Sequence, residues 1–225
     1  MRVSVIVPTL NEAPVLAAAL ARVRAARPHE IIVVDGGSGD DTVRVATELA
    51  DAVLTATCGR ATQMNAGAAV ANGDVLVFLH ADTLVPSTFV TAIEHACGDA
   101  GIVGGRFDVD LAPSSPLLWL TGWLMNGRSR LTRIATGDQA IFVRRDTFTA
   151  LGGFADIPLM EDIDLSRRLK RAGRVACLRE RVTTSSRRWR ARGVVRTILL
   201  MWSLRLLYAC GVGPDRLARV YRNVR

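Results

Sequence analysis

Short, nearly uninterrupted apolar runs alternate with longer helical stretches through the first hundred residues. The runs are Val3–Val7, Glu30–Val34, Ala52–Ala56 and Val75–Leu79. Between them Ala13–Ala26, Asp40–Leu49 and Ala61–Ala71 have helical composition, and a further helix is expected from Ser87 to Cys97. Apolar strands that lack polar alternation and are separated by helices predict a parallel sheet covered on both faces. Sheets of that kind bind ligands beyond the carboxyl ends of their strands. Here those ends are Pro8–Glu12, Asp35–Asp40 and His80–Asp82.

The second half is less regular. Ile102–Asp110 and Ala140–Val143 read as strands and Leu117–Met125 as a short apolar helix. Glu161–Ala172 has apolar residues at helical spacing (Ile163, Leu165, Leu169) and stops at Gly173. Beyond Arg187 the chain is basic and helical. The pattern divides into a body of residues 1–190 and a basic C-terminal helical extension of residues 191–225, with no internal repeat.

Composition narrows the class. With 225 residues, 49% hydrophobic and 22% charged, the chain can bury a full core, which excludes a disordered polypeptide. The net charge of +8 is unevenly spread: residues 179–225 carry twelve arginines against Glu180 and Asp215. Cys58, Cys97, Cys177 and Cys210 show no metal-ligand spacing, so four buried thiols in a reducing cytosol are expected. Val3–Val7 is too short for a signal-peptide core and stops at Pro8.

Four features at strand ends carry candidate chemistry. Pro8-Thr9-Leu10-Asn11-Glu12 reads equally as a turn that starts a helix. Asp35-Gly36-Gly37-Ser38 places a carboxylate before a glycine-rich turn, where it can accept hydrogen bonds from a base or ribose, although the dinucleotide GxGxxG spacing is missing. In His80-Ala81-Asp82 a carboxylate follows the most apolar strand. Burying it there requires compensation, which a divalent cation bridging to a diphosphate would supply; the plain alternative is a cap for the next helix. Glu161-Asp162-Ile163-Asp164 sets three acids at a helix start, as dipole caps or as a general base acting on a hydroxyl.

Taken in order, these stretches resemble the inverting glycosyltransferases of family 2, which have the GT-A fold. The resemblance covers roughly residues 1–190 and rests on Val5–Glu12, Val34–Ser38, Asn65-Ala66-Gly67, His80-Ala81-Asp82, and Gly152-Gly153-Phe154 ahead of Glu161-Asp162. Gly137-Asp138-Gln139, Ile157–Asp162 and Ser185–Trp189 are similar to a small subgroup associated with arsenosugar biosynthesis. The resemblance implies an α/β GT-A domain, mostly parallel in its central sheet with helices on both faces, plus C-terminal helices. It further implies that Thr9, Glu12 and Asp35 contact the nucleoside, joined by Pro8, His80 and Ala81 of the same loops, and that Arg60 meets the base or diphosphate. Asp82 would hold Mn²⁺ or Mg²⁺, Asp162 would be the catalytic base and Glu161 its support. Gln139, Arg187, Arg188 and Trp189 are candidates for diphosphate or acceptor contact. One departure stands out: the first position of the DxD motif is His80, which leaves one carboxylate for the metal.

The implied partners are a nucleoside-diphosphate sugar of UDP type and an acceptor hydroxyl, with no nucleic acid. A nucleotidyltransferase, which would open on a glycine-rich basic loop, a non-catalytic nucleotide-binding protein and a basic nucleic-acid-binding protein are the alternatives. Val194–Val212 holds fourteen apolar residues in nineteen, close to the length of a membrane span. Arg196 and Arg205 project from opposite helix faces, which argues against one. The expectation is a cytoplasmic domain whose C-terminal helix packs on it, on a second copy of the chain, or peripherally on the anionic inner membrane surface.

Overall fold

A computed structural model describes residues 1–223, without the side chains of Arg188, Arg192, Arg222 and Asn223. The first half runs β1 (Val3–Thr9), α1 (Ala13–Ala25), β2 (Glu30–Asp35), α2 (Thr42–Leu49), β3 (Ala52–Thr55), α3 (Arg60–Val70), β4 (Val75–Phe78), β5 (Thr83–Leu84) and α4 (Phe89–Cys97). There follow β6 (Ile102–Ala112), α5 (Pro116–Thr132), β7 (Ile141–Arg144), α6 (Arg145–Ala150), α7 (Glu161–Ala172) and β8 (Arg174–Ser185). Helices α8 (Arg187–Arg192), α9 (Val194–Ala209) and α10 (Pro214–Asn223) complete the described chain.

The eight strands of the described residues form one sheet in the order β3-β2-β1-β4-β7-β6-β8-β5. The four early strands are mutually parallel, with Thr9 opposite Asp35 and Ile6 opposite Phe78. Strand β7 is antiparallel to both its neighbours, whereas β6 and β8 run parallel. The chain leaves β1 outward through β2 and β3, then returns to its other side at β4. That reversal opens a crevice at the carboxyl ends of β1 and β4.

Burial on both faces explains the unbroken apolar strands. Val5, Val7, Val33 and Val77 pack under α1 and α4, against Leu16, Leu20, Phe89 and Ile93. Ile6, Ile32, Val34 and Phe78 face α3 and α7, meeting Met64, Leu165 and Leu169. On that second face a methyl group on Gly67 would lie 2.5 Å from Ile6 Cγ2, so the glycine is what lets α3 approach β1. A third cluster joins Leu204 of α9 and Leu217 of α10 to Met160 and Ile163 at the start of α7.

Several expectations change. Helix α5 extends to Thr132, past Met125, because Asn126 and Ser129 on its inner side are buried and hydrogen-bonded. The twelve-residue β8, its sequence broken by charged residues, gives no apolar run. Only Cys97 is fully buried; Cys177 is half-buried and Cys58 and Cys210 are exposed, so four buried thiols is incorrect. Among the described residues no helix is long and apolar enough to cross a membrane.

Candidate active site

The carboxyl ends of β1 and β2 are tied into one platform. Asp35 is 2% exposed; its carboxylate accepts hydrogen bonds from the Gly37 and Ser38 N–H groups, both at 2.8 Å, and from the Ser38 and Thr9 hydroxyls. Burial pushes this carboxyl up, but those hydrogen bonds outweigh it and hold it below the ordinary carboxylate range. Gln63 of α3 donates its amide to the Thr9 and Val34 carbonyls, at 2.8 Å each. Glu12, at the start of α1, pairs with Arg187 of α8 at 3.1 Å.

Opposite this platform, a tight turn at Gly137–Gln139 meets the start of α7. The Gly137 N–H donates to Asp162 Oδ2 at 2.9 Å, and the Ile163 N–H to Asp162 Oδ1 at 2.7 Å. Glu161 is buried and lies 3.6 Å from Arg60 Nε. Burial drives the Glu161 carboxyl up; Arg60 opposes the shift and the Asp162 charge adds to it. His80 Nδ1 sits 3.2 Å from Asp138 Oδ1. Its Nε2 is buried, with no hydrogen-bond partner among the described residues. A Cβ at Gly137 would collide with both His80 Nε2 and Arg60 Nη2. Arg60, His80, Gly137, Glu161 and Asp162 thus line one cleft, floored by Phe78 and Phe154.

Residues 4–150 match the family described as Glycosyl transferase family 2. The chain belongs to that family. It is 31% identical over 198 residues to the probable glycosyltransferase YdaM of Bacillus subtilis, covering 76% of this chain and 47% of that one. It is 30% identical over 165 residues to a PGL/p-HBAD biosynthesis glycosyltransferase of Mycobacterium bovis, with 67% and 62% covered. A third relative, an undecaprenyl-phosphate 4-deoxy-4-formamido-L-arabinose transferase of Klebsiella pneumoniae, is 35% identical over 98 residues, with 38% and 30% covered. The chain therefore spans between 30% and 62% of the length of these curated relatives.

The fold is shared with solved structures. S. aureus TarS (residues 1–349) superposes with a TM-score of 0.66 at 16% identity, over 83% of this chain and 61% of that one. Glucosyl-3-phosphoglycerate synthase from Mycobacterium tuberculosis, solved with Mn²⁺, UDP and glucosyl-3-phosphoglycerate, gives 0.58 at 21% identity, over 80% and 70%. The GT-A class expected from the sequence is borne out.

Within this family 2 domain the predicted residues separate into groups. Pro8, Thr9, Asp35, His80, Ala81 and Asp82 gather at the carboxyl ends of adjacent strands. Asp82 is half-buried, not buried, and among the described residues accepts only a 3.4 Å contact from Thr184 Oγ1. The cost of burying a carboxylate therefore falls on Asp35 and not on Asp82. Nor does Asp82 cap a helix, since α4 begins after Thr88. Gln139 is fully buried: its amide donates to Ser129 Oγ at 3.0 Å and accepts from the Thr136 N–H, so it does not reach the cleft. Trp189 packs against the core, and the side chain of Arg188 lies outside the described residues.

The sequence motifs also prove partly architectural. Asn65 clamps Phe154 with two hydrogen bonds to its backbone, 2.8 and 2.9 Å long, which joins α3 to the Gly152-Gly153 turn. Both glycines have positive φ, +75° and +73°, as that turn requires. Sequence reasoning missed Gln63 and Arg128. The Arg128 guanidinium donates to the Ile134 carbonyl at 3.3 Å, while its Nε and Nη2 are buried without partners among the described residues. Burial, reinforced by Arg205 and opposed by Asp162, pushes it down to about 10. Its burial where α5 packs on α9 distinguishes it from the other arginines.

A divalent cation is tested by the donors present. No group of three or more His, Cys, Asp or Glu side chains converges among the described residues. Asp82, half-buried, stands past the end of β4 beside the crevice. That suits an ion such as Mn²⁺ or Mg²⁺, which takes one or two carboxylates and completes its shell with substrate phosphates and water.

Proposed function

We propose that this chain is an inverting glycosyltransferase, transferring a sugar from a nucleoside diphosphate to an acceptor hydroxyl. The observation that carries the reading is that Phe78 and His80, at the end of β4 beside β1, line one cleft with Arg60, Glu161 and Asp162. The Asp35–Ser38 loop and Thr9 form the nucleoside platform. Asp35 acts by shaping that loop, since its acceptor positions are already engaged. Asp82 would hold a divalent cation, which when bound neutralises charge developing on the departing diphosphate. Arg60 and Arg187 line the approach of the same anion.

Asp162 then receives the acceptor proton. The Gly137 and Ile163 N–H groups fix the orientation of its carboxylate. The acceptor oxygen forms its bond to the anomeric carbon as the carbon–oxygen bond to the diphosphate breaks, and that electron pair leaves with the diphosphate. One displacement inverts the anomeric centre. Glu161, raised by burial, holds Arg60 in place.

A UDP-type donor is supported by the UDP in the M. tuberculosis synthase and by the UDP-GlcNAc bound to S. aureus TarS. The finer reading, membership of the arsenosugar-associated subgroup, is supported by the three sequence stretches alone. Incubating the chain with a panel of UDP-sugars, Mn²⁺ and simple alcohols, and following UDP release and product anomer by NMR, tests the proposal. UDP release with an inverted product is expected; a retained anomeric configuration overturns it.

A further inference from the structure

We infer that the face shared by α5 and α9 docks on an anionic lipid bilayer, whatever reaction the cleft performs. The two helices pack against each other, and each leaves an apolar stripe bare. On α5 these residues are Trp119 and Trp123, each 60% exposed, with Leu120 and Leu124 beside them. On α9 they are Leu199, Trp202 and Leu206, between 59% and 66% exposed. Three of the four tryptophans thus stand exposed on two helices that pack together, and an indole can sit at the headgroup level with its ring among the acyl chains. Large exposed apolar side chains gathered on adjoining helices mark an interaction site.

Charge selects the occupant. Residues 112–137 and 187–214, the segments that carry α5, α8 and α9, contain nine arginines and no aspartate or glutamate. Arg128 has its Nε and Nη2 buried, and Arg130 and Arg187 pair with Asp108 and Glu12. That leaves Arg133, Arg190, Arg196 and Arg205 to carry the charge among the described side chains. A second copy meeting this face across a two-fold axis would oppose like charges. A surface of anionic lipid complements them, by about fivefold in binding per arginine near the membrane. At the rim, a mostly apolar cavity of about 260 Å³ lies between Ser115 at the start of α5 and Arg190 of α8, with Arg190 the one charged side chain in its lining. Because Leu204 on the inner side of α9 packs on Met160 and Ile163, docking holds Glu161 and Asp162 one helix away from the bilayer.

The test is flotation of the full chain with phosphatidylcholine vesicles and with vesicles containing phosphatidylglycerol, at low and high salt. Brominated lipids report tryptophan insertion. Association with the anionic vesicles at low salt, weakened by salt and accompanied by fluorescence quenching, is expected. W119D/W123D/W202D should lower partitioning by about tenfold or more, and W119S/W123S/W202S, with an unchanged thermal melt, gives the same reading if the charged variant unfolds. The inference is overturned by absence of flotation at low salt or by binding that the serine variant leaves unchanged. Light scattering that shows a dimer, dissociated by the same substitutions, would assign the face to a second copy and overturn it equally.

Discussion

The backbone N–H of Gly137 donates to Asp162 Oδ2 at 2.9 Å, which ties the turn after α5 to the first residues of α7. The contact holds one carboxylate in a fixed orientation at the cleft, and it depends on a residue with no side chain. If Asp162 takes the acceptor proton, Asp162→Asn should keep donor affinity and lower kcat by about 10²–10⁴-fold, the usual worth of general-base catalysis. Paired binding and turnover measurements check it; near-normal kcat would pass the role to Glu161.

Gly137→Ala is a second probe of the same corner. The added methyl group collides with His80 Nε2 and Arg60 Nη2, both on the cleft, so the damage should fall on catalysis more than on folding. A lower kcat/KM with a nearly unchanged Tm is expected.

Asp35 predicts a pH dependence of stability. Its folded-state pKa is depressed, so the stabilisation it provides is fully present above the unfolded value of about 3.9 and is lost as pH falls through the lower folded value. Asp35→Asn replaces two acceptor oxygens by one and should destabilise at pH 7 by about 1–3 kcal/mol, the cost of an unsatisfied buried group. The gap between wild type and variant should narrow below about pH 4, as followed by denaturant melts.

Asn65→Ala leaves both backbone groups of Phe154 without their partner. A loss of about 1–3 kcal/mol in stability is expected, measurable as a lower Tm, with the Gly152-Gly153 turn as the first segment to gain hydrogen exchange.

These residues show why part of the molecule was legible in the chain and part was not. Strands β1, β2 and β4 are buried on both faces, so their apolar runs stand out unaided, and the topology puts Thr9, Asp35 and Asp82 at their ends. Asn65, Gly67 and Gly152-Gly153 were legible as motifs, yet their work is packing: Gly67 admits Ile6 and Asn65 holds Phe154. Gln139 carried the same kind of signal and turned inward, because its fate depends on Ser129 of α5, ten residues away. Strand β8 was hidden by Arg179, Glu180 and Arg181 on exposed positions. Arg128 could not be singled out among so many arginines, since burial of its Nε and Nη2 is a property of α5 packing on α9 and not of local sequence.

The central claim is that the crevice between β1 and β4 binds a nucleoside diphosphate through a cation on Asp82. Titration calorimetry of UDP against the chain, with Mn²⁺ and again with EDTA, tests it most directly, with Asp82→Ala alongside. The account predicts Mn²⁺-dependent binding in the wild type that is lost with EDTA and in Asp82→Ala. Full retention of Mn²⁺-dependent binding in Asp82→Ala would contradict it.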